Sequence, residues 1–194
     1  MWGIVRGMSL RHALLGLLNA KPASGYDLLN AFNTTLANVW PATQSQVYRE
    51  LGHLCDEGLL RVGDEGPRGR KEYSITETGR TELMHWLAET EPNRVRRNET
   101  LLRIFFLGNL THQQAVDYLR QEAAVYARTR QILDHIEKAA DWEADDLAIY
   151  GHLALEYGHR LMAMNLEWSD WAVGQLDARE ARRSEAAPAA DQTD

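Results

Sequence analysis

Pro41-Ala-Thr-Gln-Ser-Gln-Val-Tyr-Arg-Glu-Leu-Gly-His-Leu-Cys-Asp-Glu-Gly58 reads as a short helix with two unlike faces. Pro41 breaks the segment before it and Thr43 is a good N-cap. Gly58 closes the helix, as a glycine just past a C-terminus does. Val47, Leu51 and Leu54 recur at helical spacing and form one apolar stripe. At about 100° per residue, Ser45, Arg49, Gly52 and Asp56 fall on the other side, with Gln44 and Gln46 flanking the first turn. The outer face therefore offers hydroxyl, amide and guanidinium groups at its N-terminal end and no bulk at Gly52.

The segment after this helix decides between a surface helix and a reading helix. Residues 59–63 and 71–76 read as two short strands, with Val62, Tyr73 and Ile75 as the β-prone residues. Between them lies a Gly/Pro loop that carries Arg68 and Arg70, with Lys71 at its end. A helix followed by a hairpin with a basic tip is the order of a winged helix-turn-helix. In such a module polar groups of the helix pair with base edges and phosphates, and the cations of the wing neutralise the DNA backbone.

The sequence upstream supplies the rest of such a module. Residues 9–20 read as a first helix, capped by Ser9, with Leu10, Leu14, Leu17 and Leu18 as its apolar face. Ser24-Gly-Tyr-Asp27 has the pattern of a capping box and opens a second helix, with Leu28, Leu29 and Phe32 inward. Its free N–H groups, the Ser24 hydroxyl and Tyr26 form a candidate phosphate clamp. Trp40 is expected as an anchor packed under the next helix. Downstream of the wing, Thr76 caps a helix to about Glu89 with Leu83, Trp86 and Leu87 inward.

Residues 91–97 read as a linker whose three arginines could touch DNA or pair with acidic residues beyond. Residues 98–108 are apolar on nearly all sides, which predicts a helix buried between layers. Thr111-His-Gln-Gln114 opens a long helix to about residue 140, with Leu119, Tyr126 and Leu133 seven apart. The last helix runs to about residue 177. Leu147, Ala154, Leu161 and Trp168 alternate there with Tyr150, Tyr157, Met164 and Trp171 as a heptad seam. Such a seam calls for a second helix, which a second subunit can provide. Tyr150, Tyr157, Leu161, Met164, Trp168 and Trp171 are thus candidates for a dimer interface. The two tryptophans could instead wall a pocket for a planar ligand. The fold expected is mainly α with a small two-stranded β-wing. Its parts are an extension at 1–7, a winged helix-turn-helix at 8–90, a linker at 91–97, a helical dimerisation and effector domain at 98–178, and a disordered tail at 179–194. Met8 is an alternative start.

The chain of 194 residues carries a net charge of −7, which argues against a nonspecific nucleic-acid binder. The charge is uneven, however. Residues 1–90 hold nine Lys/Arg against ten Asp/Glu, and residues 91–194 hold twelve against eighteen. Screening over about 8 Å makes the local patch the relevant quantity. No apolar run reaches the ~18 residues of a membrane span, and the start is too short in apolar residues for a signal peptide. Cys55 is the one cysteine, so no internal disulfide forms. These features point to a cytoplasmic protein with no membrane partner. No phosphate loop, nucleophile elbow or catalytic constellation occurs, and neither an enzyme nor a bound cofactor is expected. His152, Glu156 and His159 share one helix face but lack a fourth ligand. They read as a solvated or interhelical polar face, so no metal is expected. Cys55 reads as small packing.

Taken together, Met8-Ser-Leu-Arg-His-Ala-Leu-Leu-Gly-Leu-Leu18, Ser24-Gly-Tyr-Asp-Leu28, Trp40 to Leu51, Gly58-Leu59 and Arg70 to Gly79 resemble the PadR family of transcriptional regulators. Leu101 to Leu107 and the long helices after it look like that family's larger subclass. The resemblance covers residues 8 to about 177, with five motifs in order. It implies a homodimeric repressor of an inverted-repeat, double-stranded DNA operator, released by a small-molecule effector such as a phenolic acid. It carries over Tyr26, Gln44, Ser45, Gln46, Tyr48, Arg49 and the wing cations Arg68, Arg70 and Lys71 as DNA contacts. The competing reading, favoured by the acidic total charge, is a winged-helix protein-interaction module without specific DNA binding.

Overall fold

The computed structural model describes residues 5–36, 40–63, 71–92 and 97–186. The chain divides into two compact units, Met1–Val95 and Arg96–Asp194.

In the first unit, α1 (Val5–Ala20), β1 (Ala23–Ser24), α2 (Gly25–Thr35), α3 (Gln44–Asp56), β2 (Leu60–Val62), β3 (Glu72–Ile75) and α4 (Glu77–Ala88) succeed one another in order. The wing is one strand richer than expected. β1 pairs antiparallel with β3, and the sheet order is β1-β3-β2. Two residues are too few to show a strand's period of two, which is why β1 leaves no trace in the sequence pattern. The ladder pairs Leu60 with Ile75, Arg61 with Ser74 and Val62 with Tyr73. Gly63 N–H donates to Glu72 O at 2.8 Å and extends it by one rung.

Helices α1 to α4 and the wing base close over one core. Leu10, Leu14, Leu15, Leu17 and Leu18 of α1 meet Leu28 and Phe32 of α2, Val47, Leu51 and Leu54 of α3, and Leu59, Leu60, Ile75 and Leu83. The apolar stripes read from α1, α2 and α3 are thus the ones buried. Each such side chain contributes about 1.5–3 kcal/mol. Helix α1 starts at Val5, so Ser9 lies inside it and is not its cap. Trp40 is 39% exposed and does not serve as a buried anchor. In α4, Leu83 is buried, but Leu87 is 63% exposed and lies outside the stripe predicted for it. Trp86 packs against the core as read, and also against a residue the sequence did not flag. The ring of His12, 2% exposed, stacks on it at 4.6 Å and 6°, while His12 Nε2 lies 3.1 Å from Glu82 Oε1.

The second unit holds α5 (Glu99–Ile104), a 3₁₀ turn (Leu107–Asn109), α6 (His112–Ala139) and α7 (Asp146–Ala186). The capping box predicted at Thr111 and Gln114 is present, with both reciprocal hydrogen bonds. α6 and α7 form an antiparallel hairpin. His112 at the start of α6 pairs with Asp177 late in α7, and Gly158 sits opposite Leu133 nearer the turn. Leu119 and Leu133 of the seven-residue series in α6 are buried, together with Ala115 and Val116. Two expectations fail here. α7 continues past Arg179 to Ala186, because Ala, Glu and Arg are strong helix formers even where they bury nothing. Residues 187–194 of the predicted tail lie outside the described ones. The second failure concerns residues 98–108, which are not buried within this chain. Leu101, Leu102, Phe105 and Phe106 are 49, 58, 85 and 61% exposed, because no layer of the described chain covers them. No described helix is long and apolar enough to cross a membrane.

Candidate nucleic-acid interface

Helix α3 is fixed at both ends by its own sequence. Thr43 caps it and accepts from Gln46 N–H, while Gln46 Oε1 accepts from Thr43 N–H at 2.8 Å. This reciprocal box satisfies two donors that a helix start leaves open. The Thr-x-x-Gln spacing at 43–46 is the same signal that flags the device at residues 111–114, and only the later one is noted in the sequence reading. Gln46 is therefore half committed: its carbonyl oxygen is held by the cap, and only its amide NH₂ remains for another partner. At the other end Gly58 has φ 72, and its N–H donates to Cys55 O at 3.0 Å. Leu59 N–H returns to Leu54 O at 2.9 Å, which completes a Schellman motif. The chain then enters the wing with Leu59 and Leu60 already in the core.

Between these ends α3 presents the face the sequence predicted. Val47, Leu51 and Leu54 are fully covered, and Gln44, Ser45, Gln46, Arg49 and Gly52 are exposed. Gly52 has open space around it. Cys55, half-buried, packs against the core. Burial and then the neighbouring Asp56 push its thiol upward from its usual pKa, which opposes a reactive thiolate.

Tyr48 resolves how α3 meets α2. A Cβ added to Gly25 would lie 2.6 Å from Tyr48 Cε1 and 3.3 Å from its hydroxyl oxygen. The tyrosine ring thus lies over the first residue of α2, and its hydroxyl reaches the same helix start. Tyr48 is 41% exposed and Tyr26 59%, so both phenols remain accessible beside the first-turn N–H groups of α2. Ser24 does not join them. It is 6% exposed, accepts from Asp27 N–H at 3.2 Å and donates its hydroxyl to Asp27 Oδ2 at 2.7 Å. The serine is spent on the cap, with its hydroxyl bonded to Asp27 on both counts.

The closeness of Gly25 and Tyr48 gives a first test. In Gly25→Ala the new methyl must displace the tyrosine ring, which is the movable end of a side chain. The unfolding free energy is expected to change by less than about 1 kcal/mol, while any DNA affinity that depends on Tyr48 falls. Thermal unfolding and a DNA titration on one preparation check both halves. Unchanged DNA affinity would remove Tyr48 from the interface.

On the wing, Lys71 is exposed just before β3. Arg68 and Arg70 lie outside the described residues, as do Arg94 and Arg96 of the linker. One wing cation escaped the sequence reading. Arg61, exposed on β2, donates its Nε to Ser74 Oγ across the ladder at 2.8 Å. That bond holds the guanidinium on the outer surface of the hairpin. The period-two alternation of Leu60-Arg61-Val62 was the available signal.

In the second unit the heptad seam of α7 does not face α6. The residues that α7 buries are Leu155 and Ser169, and Gly158 lets Leu133 approach closely. Tyr150, Tyr157, Met164 and Trp171 are 68, 59, 54 and 59% exposed, with Leu161 and Trp168 partly covered. A groove beside the start of α6 is lined by Leu102, Phe106, Leu107, Leu110 and Tyr118. Of the polar face His152, Glu156 and His159, only His159 turns toward α6. His152 stacks on Trp142 at 5.0 Å, and Glu156 accepts from Arg160 Nε at 2.7 Å.

Comparison with known proteins agrees with this architecture. Residues 14–85 match the family described as Transcriptional regulator PadR-like family, and residues 96–177 match Virulence activator alpha C-term. The chain is 35% identical over 117 residues to the Negative transcriptional regulator PadR of Bacillus subtilis. That alignment covers 58% of this chain and 64% of the relative, just under two thirds of its length. A Mycobacterium tuberculosis protein named as a probable transcriptional regulator is 30% identical over 188 residues, with 89% of this chain and 100% of that protein covered. Bacillus subtilis PadR in complex with operator DNA superposes with a TM-score of 0.74 at 28% identity, over 86% of this chain and 98% of that one. Its complex with p-coumaric acid gives 0.74 at 27% identity, over 87% and 98%.

Proposed function

The chain belongs to the PadR-like family of transcriptional regulators, and from that membership we propose that it is a homodimeric repressor of an inverted-repeat operator, released by a small aromatic or phenolic acid. The observation that carries the proposal is the polar face of α3, capped at both ends and held against the start of α2 by Tyr48. In this reading Gln44, Ser45 and Arg49 reach base edges, with the NH₂ of Gln46 beside them. Tyr26, Tyr48, Arg61, Lys71, Arg68 and Arg70 hold phosphates. Two α3 helices enter successive major grooves about 34 Å apart. Bacillus subtilis PadR, solved once with operator DNA and once with p-coumaric acid, supports the two kinds of ligand.

The dimer rests on apolar surface that one chain leaves open. Phe105 at 85% exposure and the outward seam of Tyr150, Tyr157, Met164 and Trp171 are the surfaces a second copy would cover. An effector bound among the helices of the dimer would act by preferring one dimer shape. A coupling of 1–3 kcal/mol would change operator affinity by roughly 5–150-fold. The proposal assigns no catalytic step to the chain and places it in the cytoplasm, on DNA.

The test is a titration of the full chain with DNA from its own upstream region, at two salt concentrations and against scrambled competitor. Tight, competitor-resistant binding that weakens with salt is expected, together with a light-scattering mass of two chains. Equal binding to scrambled DNA at both salts, followed by no enrichment in a genome-wide DNA selection, would transfer the reading to a protein-interaction module, which the net charge of −7 favours.

A further inference from the structure

We propose that Asp134, Glu137 and His159 form a binding site for a divalent transition-metal cation that braces α6 against α7. Asp134 and Glu137 stand three residues apart on α6, so their carboxylates share one face. The antiparallel course of α7 sets the His159 ring between them. Its Nδ1 lies 3.5 Å from Asp134 Oδ1, and its Nε2, the one nitrogen that would take the ion, lies 3.7 Å from Glu137 Oε2. One ligand atom from each of the three residues falls within 4.8 Å of the others.

Two features separate this cluster from an ordinary surface ion pair. The imidazole is 16% exposed while the carboxylates are 44% and 46% exposed, so a covered nitrogen donor lies beneath an open acidic mouth. His159 Nε2 is also buried with no hydrogen-bond partner, since 3.7 Å is too long for one. A buried nitrogen without a partner is costly to the fold, and a bound cation relieves that cost while neutralising two adjacent carboxylates.

The donor set selects the class of ion. One imidazole and two carboxylates, with room for water, is a three-ligand open site of the kind zinc and its first-row neighbours accept. Magnesium and calcium prefer all-oxygen shells. Zinc bonds of about 2.0–2.2 Å require the ligand atoms to draw together by about 1 Å. Rotation of the half-exposed Asp134 and Glu137 side chains supplies that movement. The sequence alone places His159 with His152 and Glu156. The fold breaks that set, whose other members are engaged with Trp142 and Arg160, and replaces it with partners from α6.

The experiment titrates the full chain with zinc chloride in calorimetry and follows thermal unfolding with and without the ion. No step of it depends on DNA binding. Saturable binding of one zinc per chain is expected, with a raised unfolding temperature and no displacement by excess magnesium. Asp134→Asn and His159→Gln should each weaken zinc binding at least ~10-fold, because loss of an outer partner alone costs about 10–100-fold. His152→Gln, on the same helix but away from α6, should bind as the parent does. Absence of saturable binding overturns the site. So does equal affinity in the parent, Asp134→Asn and His159→Gln proteins, which would mean zinc held only by scattered surface histidines. If Asp134→Asn unfolds in buffer alone, Glu137→Gln takes its place with the same expected loss and the same overturning result.

Discussion

Gly79→Ala is expected to lower the unfolding midpoint of the N-terminal unit by roughly 12 °C or more. Gly79 lies in the first turn of α4, where its N–H donates to the capping hydroxyl of Thr76 at 3.1 Å. A Cβ there would lie 2.2 Å from Leu59 O and 2.9 Å from Ile75 Cγ1. The Leu59 oxygen cannot step aside freely. It accepts from Thr76 N–H and from the Thr76 hydroxyl, both at 3.0 Å, and Thr76 Oγ1 also reaches Gly58 O at 2.8 Å. These bonds hold α4 and the wing base to the end of α3. Overpacking costs about 1–3 kcal/mol, and each strained hydrogen bond adds about 1 kcal/mol, so about 3 kcal/mol in all is expected. At roughly 4–8 °C per kcal/mol for a domain of this size, the shift is large. Gly52→Ala is the control of opposite sign. Nothing lies within 4 Å of its Cβ position, and the change should stabilise α3 by up to about 1 kcal/mol. Calorimetric scans of both variants decide it. A Gly79→Ala midpoint within about 4 °C of the parent would show that the α4 contact is not the rigid one described.

Arg49→Ala carries the second large effect, on DNA. Arg49 is exposed on the side of α3 away from Val47, Leu51 and Leu54. A bidentate contact to a guanine edge is worth about 1–3 kcal/mol of discrimination, or roughly 5–150-fold. Operator binding by Arg49→Ala should weaken by that factor at fixed salt, with little change on scrambled DNA. Lys71→Ala is the comparison. A phosphate contact should weaken operator and scrambled DNA alike and flatten the salt dependence. Anisotropy titrations with both DNAs separate the roles. Parallel loss on both DNAs would make Arg49 a backbone contact, and no loss on either would place the reading face elsewhere on the helix.

The features legible in the sequence are local or periodic. The stripe of Val47, Leu51 and Leu54, the glycine at 58 and the box at Thr111 and Gln114 are short-range patterns, and each corresponds to a definite structural feature. Some of the features it hides depend on partners far away in the chain, and others on a choice between two local readings. His12 gives no sign in its own helix that Trp86 will stack on it. Ser24 resembles an open clamp because its bond to Asp27 satisfies a cap and a surface role equally well on paper. The apolar run from Leu101 to Phe106 reads as buried on hydrophobicity alone, which cannot say whether the covering layer belongs to the same chain. The tail beyond Arg179 reads as disordered from its lack of bulk, whereas helix propensity carries α7 onward.

The contact between Gly25 and Tyr48 has a consequence for how such chains vary. The two positions divide one small volume, with the whole of it given to the ring. A homologous chain that places a methyl or more at position 25 must shrink or re-aim the residue at 48, and a chain that loses the ring is free to fill position 25. Substitutions at the two sites should therefore be inherited as pairs. The pairing would tie the opening residue of α2 to a surface residue of α3 that lies twenty-three positions downstream.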